Sequence, residues 1–198
     1  MTQISYLGIV QPFQVVDTIW RNSLLMTTFS HVVRQCTASD FEAILDIIND
    51  AASAYRGVIP ADCWHEPYMP AQELQRELEA GVVFWGYEDE DGLTGVMGVQ
   101  DKGEVTLIRH AYVRTSQRNQ GVATRLLRFL ESTVDTPVLI GTWADATWAI
   151  AFYQKNGYRL LPEAEKNRLL RQYWTIPERQ VVTSVVLANA KWTSPISR

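Results

Sequence analysis

Apolar positions along this chain change period several times, and the changes divide it into elements. Val32, Val33 and Arg34 have the short apolar character of a strand. A capping box from Thr37 to Asp40 then opens a helix with Phe41, Ile44, Leu45, Ile47 and Ile48 at helical spacing. Residues 55–70 are rich in proline and aromatics, too irregular for a long helix. They read as a structured loop leading into a second helix at 71–80 that Gly81 stops. Segments 82–87, 94–100 and 104–113 read as three strands, separated by Glu88-Asp89-Glu90-Asp91-Gly92 and by Asp101-Lys102-Gly103, both with hairpin chemistry. Three sequential antiparallel strands are the simplest outcome.

The period returns to 3.6 at 122–134, with Ala123, Leu126, Leu127, Leu130 and Val134 on one side and Arg125, Arg128 and Glu131 on the other. Val138–Trp143 is a nearly uninterrupted apolar strand. A strand, a helix and a strand of this size form a right-handed crossover, which predicts that 104–113 and 138–143 are parallel neighbours. A helix is expected at 145–156, capped by Gly157, then a strand at 158–161 and a helix at 162–173. A valine-rich strand at 180–187 is expected to pair antiparallel with 158–161 and finish the sheet. The fold class predicted is α/β (α+β), a mixed, mostly antiparallel central sheet flanked by helices, in one domain at 31–190. Residues 1–30 show no clear period and are read as an N-terminal extension that need not be ordered, with Met26 as an alternative start. Residues 191–198 are read as a tail.

Composition narrows the function classes. The 198 residues are 46% hydrophobic and 20% charged, enough for one core of ordinary size. Cys36 and Cys63 show no metal-ligand spacing and no disulfide framework, so no metal is expected and a reducing cytoplasm is the default location. The first thirty residues lack the pattern of a signal peptide, and no run approaches the roughly 20 apolar residues of a membrane span. A net charge of -4 without basic blocks argues against a nucleic-acid partner.

Against that acidic balance, no carboxylate occurs from Val105 to Leu130, where five arginines fall: Arg109, Arg114, Arg118, Arg125 and Arg128. A helix N-terminus already carries partial positive charge, so arginines at and before it are misplaced unless an external anion sits there. The run Arg118-Asn119-Gln120-Gly121-Val122-Ala123 therefore reads as a phosphate-binding turn, against the alternative of a tight strand-to-helix turn with a solvated arginine face. Gly121 lets backbone approach a ligand, and the N–H groups there and at Ala123 and Thr124 can point at a diphosphate.

Arg118-x-x-Gly121-x-Ala123 resembles the acyl-CoA pyrophosphate loop of the GNAT superfamily of N-acetyltransferases. Ala149-x-x-Phe152-Tyr153-x-Lys155-x-Gly157-Tyr158 is similar to that superfamily's second signature and lies one strand downstream, in the family's order. The resemblance runs from about Val32 to Leu187. It implies a splayed parallel strand pair that forms a cofactor notch, with acetyl-CoA as acyl donor substrate. The cofactor would be held by the backbone of Ala111, Tyr112 and Val113, by residues Arg118 to Thr124, Val122 among them, and by Lys155. It also implies Tyr153 as general acid for the departing thiolate, direct transfer to an amine in a ternary complex, and a homodimer as a common arrangement. Two family features are missing: an asparagine is replaced by Ala146, and the strand glutamate of histone-acetylating relatives by Leu107.

An ammonium cannot attack a thioester until it loses a proton, so a base is required. His110 is the nearest group with a suitable intrinsic pKa, and Glu104 acting through water is the alternative. The aromatic stretch that includes Tyr55, Trp64 and Tyr68 suggests a partly enclosed acceptor site, with Asp62 or Glu66 available to hold a cation. The other account is that these rings anchor a long loop. The function expected is N-acetylation of a primary amine on a small molecule or peptide. The alternatives are a catalytically silent acyl-CoA-binding regulatory module and, less well supported, a nucleotide phosphate binder lacking the usual Gly-x-x-x-x-Gly-Lys-Ser/Thr loop.

Overall fold

A computed structural model describes residues 31–194; the expectations for residues 1–30 and 195–198 lie outside the described residues. Seven strands form one sheet in the order β1-β2-β3-β4-β5-β7-β6. β1 (Val32–Gln35), β2 (Val83–Asp89), β3 (Gly92–Asp101) and β4 (Thr106–Val113) are antiparallel neighbours in sequence order. β5 (Val138–Trp143) lies parallel to β4, as the crossover through α3 (Val122–Thr133) predicts. The mixed, mostly antiparallel sheet expected from the hydrophobic pattern is the one observed.

Helices cover both faces. α3 lays Leu126, Leu127 and Leu130 on Met97, Ile108 and Ile140. It sits close to the sheet because β3 has no side chain at Gly95, where a Cβ would lie 2.6 Å from Val122 Cγ1. On the opposite face α1 (Phe41–Ala52) and α2 (Ala71–Glu79) bury Ile44, Ile47, Ile48 and Leu74 against Phe84 and Val96. Asp40 accepts the Thr37 N–H at 2.7 Å, one half of the capping box read from the sequence. α5 (Glu163–Tyr173) supplies Leu169 and Leu170 to a third cluster with Leu139, Val186 and Trp174. α4 (Thr147–Lys155) begins two residues later than its pattern suggested, with the buried Ala146 as its non-helical N-cap, and Gly157 follows its end at φ +90°.

The C-terminal region departs from expectation. Residues 178–182 form a short helix, α6 (Glu178–Val182), and only Ser184–Ala188 is strand β7. Pro177 starts that helix: its carbonyl accepts the Gln180 and Val181 N–H groups, and its lack of an N–H costs nothing there. β6 is two residues long (Arg159–Leu160) and forms the sheet's edge, whereas β7 lies inside the sheet, paired with β5 on one side and β6 on the other. Lys191 to Ser194 dock on the domain: Lys191 Nζ donates to Val134 O at 2.8 Å, and Trp192 Nε1 donates to Glu165 at 3.0 Å.

Candidate active site

Pairing between β4 and β5 stops at Ile108↔Ile140, but both strands continue. β4 stays bonded to β3 as far as Val113↔Gly95, and β5 to β7 as far as Trp143↔Ser184, so their facing edges diverge. Each edge exposes backbone that a sheet would otherwise have satisfied. A bulge sharpens the divergence. Between Val96↔Tyr112 and Gly98↔Arg109, Met97 faces two residues, His110 and Ala111, and His110 takes φ +52°. The bulge at His110-Ala111 thus leads directly into Tyr112 and Val113, whose backbone was expected to hold the cofactor.

The notch opens into a cleft of about 1120 Å³. The turn before α3 forms its mouth, with Asn119 at φ +63° and Gly121 at φ +81°. A Cβ added at Gly121 would meet no atom within 4 Å, so it faces open space. Gly121 caps α3 with no side-chain hydrogen bond, and among the described residues no acceptor is bonded to the N–H groups from Arg118 to Thr124. Seven consecutive backbone donors at a helix N-terminus form an anion-binding concavity. Arg128 and Lys155 add cationic side chains to the walls, and Val113, Ile108 and Phe152 add apolar ones.

The arginine argument from the sequence is corrected in space, because carboxylates from distant segments reach the window. Arg109 pairs with Glu77 of α2, Nη2 to Oε1 at 3.0 Å. Asp50, at the end of α1, accepts the Thr115 N–H at 2.6 Å and the Thr115 hydroxyl at 2.7 Å. Arg118 donates to Ala51 O at 3.1 Å, and Arg114 to Leu93 O at 3.1 Å. Arg125 donates to the Tyr87 hydroxyl. Only Arg128 of the five lines the cleft without a side-chain hydrogen bond to a described residue. The backbone amides, more than the guanidinium groups, therefore make the site.

Of the cofactor residues expected from the sequence, Ala111, Tyr112, Val113, Arg118, Asn119, Gly121, Val122, Ala123, Thr124 and Lys155 line the cleft. Gln120 does not: its side chain turns back to Ser116 O at 3.5 Å. Tyr153 lies in the cleft wall, 5% exposed, with no side-chain hydrogen bond among the described residues. Burial pushes its phenol well above the usual tyrosine value, with the Tyr55 ring adding to the effect, so the hydroxyl stays protonated.

Behind the divergence a second cavity of about 120 Å³ lies between β4, β5, α5 and α6. Tyr55, Ile108, His110, Gly141 and Thr142 line both spaces, so the two meet at the notch. Its aromatic walls include Tyr68, Trp143 and Trp174, and Trp143 Nε1 donates to the Tyr68 hydroxyl at 3.1 Å. Tyr55 and Tyr68, named for the acceptor site, line this cavity. Trp64 is not: it packs on Tyr68 at 5.5 Å, outside both walls. Asp62 and Glu66 line neither space: Asp62 pairs with Arg179 at 2.9 Å and Glu66 with Arg56 on the exposed surface. Glu104 accepts from the Tyr173 hydroxyl at 3.0 Å and lines neither space.

His110 lines both. Its ring stacks on Phe84 with centroids 6.0 Å apart, and its Nε2 lies 3.2 Å from Glu77 Oε2. Sequence reading missed Glu77, Asp50 and Thr142, none of which belongs to a motif, and named Arg128 only as one of five arginines in the window.

Residues 80–160 match the sequence profile of the Acetyltransferase (GNAT) domain. No curated protein sequence matches the chain. Similar solved structures include a GNAT-family acetyltransferase from Staphylococcus aureus Mu50, with TM-score 0.59 and 17% identity over 81% of this chain and 98% of that one. The PaiA N-acetyltransferase from Thermoplasma acidophilum, solved in complex with coenzyme A, gives TM-score 0.60 and 14% identity over 82% and 99%. The ribosomal-protein-S18-alanine N-acetyltransferase from Escherichia coli gives TM-score 0.59 and 12% identity over 85% and 99%. At such identities the likeness is one of fold.

Proposed function

We propose that this chain, whose residues 80–160 match the GNAT acetyltransferase domain profile and whose fold is that of GNAT structures, is an acetyl-CoA-dependent N-acetyltransferase acting on a primary amine of a small molecule or peptide. The observation that carries this reading is the row of unpaired amides from Arg118 to Thr124 at the mouth of a notch between diverging parallel strands. These donors match a diphosphate, and the open space at Gly121 lets it come close. The unpaired edges of β4 and β5 suit the amides of a pantetheine arm, and a thioester there supplies an activated acyl carbonyl.

The remaining steps fall to this chain's residues. The acceptor enters by the aromatic cavity and reaches the notch beside His110, which takes its proton. Tyr153, protonated and facing the cleft, donates its hydroxyl hydrogen to the leaving sulfur. Neither cysteine lines either cavity, and burial pushes the Cys36 thiol up to about 12, which supports direct transfer over an acyl-cysteine route.

The test has two arms. Acetyl-CoA should raise the melting temperature, and a panel of amines, peptides and protein termini should include one that releases CoA. Binding without release from any acceptor would leave the silent acyl-CoA-binding module, and absence of binding would remove both readings.

A further inference from the structure

We propose that Glu77 and His110 act as a carboxylate–imidazole pair, in which Glu77 holds the Nε2 side of the ring and leaves Nδ1 as the base that deprotonates the acceptor ammonium. The inference rests on the acyltransferase reading and adds to it a positioning residue, Glu77, that no motif marks.

Three features of the geometry support it. His110 belongs to the walls of both spaces, where an entering amine meets the acyl group. It is held there by a left-handed backbone, which a non-glycine residue adopts at a cost of roughly 1–2 kcal/mol, so the surrounding bulge fixes the ring's placement. The two ring nitrogens are in different surroundings. Nε2 is buried 3.2 Å from Glu77 Oε2, and neither atom completes a well-directed hydrogen bond among the described residues. Nδ1 is not among the buried unpaired atoms, which leaves it as the nitrogen with access to the cavity.

Glu77 is itself fixed. Arg109 Nη2 donates to its Oε1 at 3.0 Å, Arg109 Nη1 lies 2.9 Å from its Oε2, and Gln100 accepts from the same guanidinium at 3.3 Å. Burial alone would raise the Glu77 carboxyl, but His110 and Arg109 outweigh it and hold it below the ordinary value. The charged groups beside the ring are Glu77 from α2 and Arg109 from β4; the neutral phenols of Tyr55 and Tyr68 line the same cavity from the loop. The Glu77 carboxylate is thus shared between the Arg109 guanidinium and the His110 ring. Glu77 sets the orientation of the ring without itself meeting the substrate.

The step balances simply. The N–H bond of the ammonium breaks, an Nδ1–H bond forms, the nitrogen keeps its lone pair for attack, and the positive charge passes to the imidazolium beside Glu77.

The full chain has three histidines, His31, His65 and His110, so 15N-histidine NMR resolves each ring, with His110→Gln giving the assignment. The expected neutral form of His110 carries its proton on Nε2. In Glu77→Gln the ring's proton affinity should fall at least about tenfold, and Glu77→Asp should recover part of it. A neutral ring protonated on Nδ1, or one that titrates alike in wild type and Glu77→Gln, overturns the proposal. The wild-type tautomer needs no variant, so a Glu77→Gln protein that fails to fold does not remove the test. With an acceptor in hand, Glu77→Gln should move the acidic limb of kcat/KM to lower pH and leave acetyl-CoA affinity within about twofold. An unmoved limb counts against the pair. Failure of acetyl-CoA to bind the wild type would strike at the acyltransferase reading and leave the NMR result standing by itself.

Discussion

Tyr153 and Gly121 carry the most direct consequences of single substitutions. The Tyr153 hydroxyl has no bonding partner among the described residues and borders the cleft. Tyr153→Phe should therefore lower kcat about 100-fold, within the span usual for loss of a general acid, while KM for acetyl-CoA changes less than about twofold. Steady-state kinetics reads both. At φ +81° Gly121 occupies a conformation that costs a residue with a Cβ about 1 kcal/mol or more, and the added atom projects into the space a ligand would fill. Gly121→Val should weaken acetyl-CoA binding at least tenfold by calorimetry, with a melting temperature lowered by only a few degrees. Their place beside the cleft was legible because each sits in a short local pattern of characteristic spacing. Glu77 was not. Within Gln75-Arg76-Glu77-Leu78 nothing distinguishes it from a solvated helix acid, and its partners Arg109 and His110 stand more than thirty residues away on another element. Likewise the pairing of Asp62 with Arg179 across 117 positions could not be read from the aromatic loop alone.

Elements, not single side chains, set the shape of the phosphate turn. The C-terminal end of α1 holds it from below: Asp50 takes both the Thr115 N–H and its hydroxyl, while the Ala51 carbonyl takes Arg118. Loss of the two Thr115 contacts in Asp50→Ala should weaken acetyl-CoA binding roughly tenfold, about what one charged hydrogen bond contributes. Burial pushes the Asp50 carboxyl up, but Thr115 outweighs it and holds the group below its ordinary value. Its contribution to stability is therefore complete above about pH 4 and fades as the pH falls through the lowered value. The melting temperature of Asp50→Ala should vary less below pH 4 than that of the wild type. The periodic elements were readable: α1, α3, β5 and the antiparallel trio follow their apolar spacing closely. Valine content misled at 180–187, because Pro177 imposes a helix start that local β-propensity cannot override. The arginine-rich window misled for a different reason, since the absence of acids along the chain says nothing about which acids the fold brings beside it.

The molecule as a whole is two half-sheets sharing β4 and β5 only as far as Ile108↔Ile140. Both cavities open from that one divergence, so a ligand bound across it ties the halves together. Acetyl-CoA at about 100 times its Kd should add about 2.7 kcal/mol of stability, measured as a shift in denaturant midpoint. The second half-sheet depends on β7, the last strand among the described residues yet an interior one, flanked by β5 and β6. During synthesis β5 consequently waits with a bare hydrogen-bonding edge, flanked by Leu139 and Ile140, until Ser184–Ala188 has left the ribosome. For those seconds the nascent chain is a target for chaperones and for strand exchange with its neighbours on the same message.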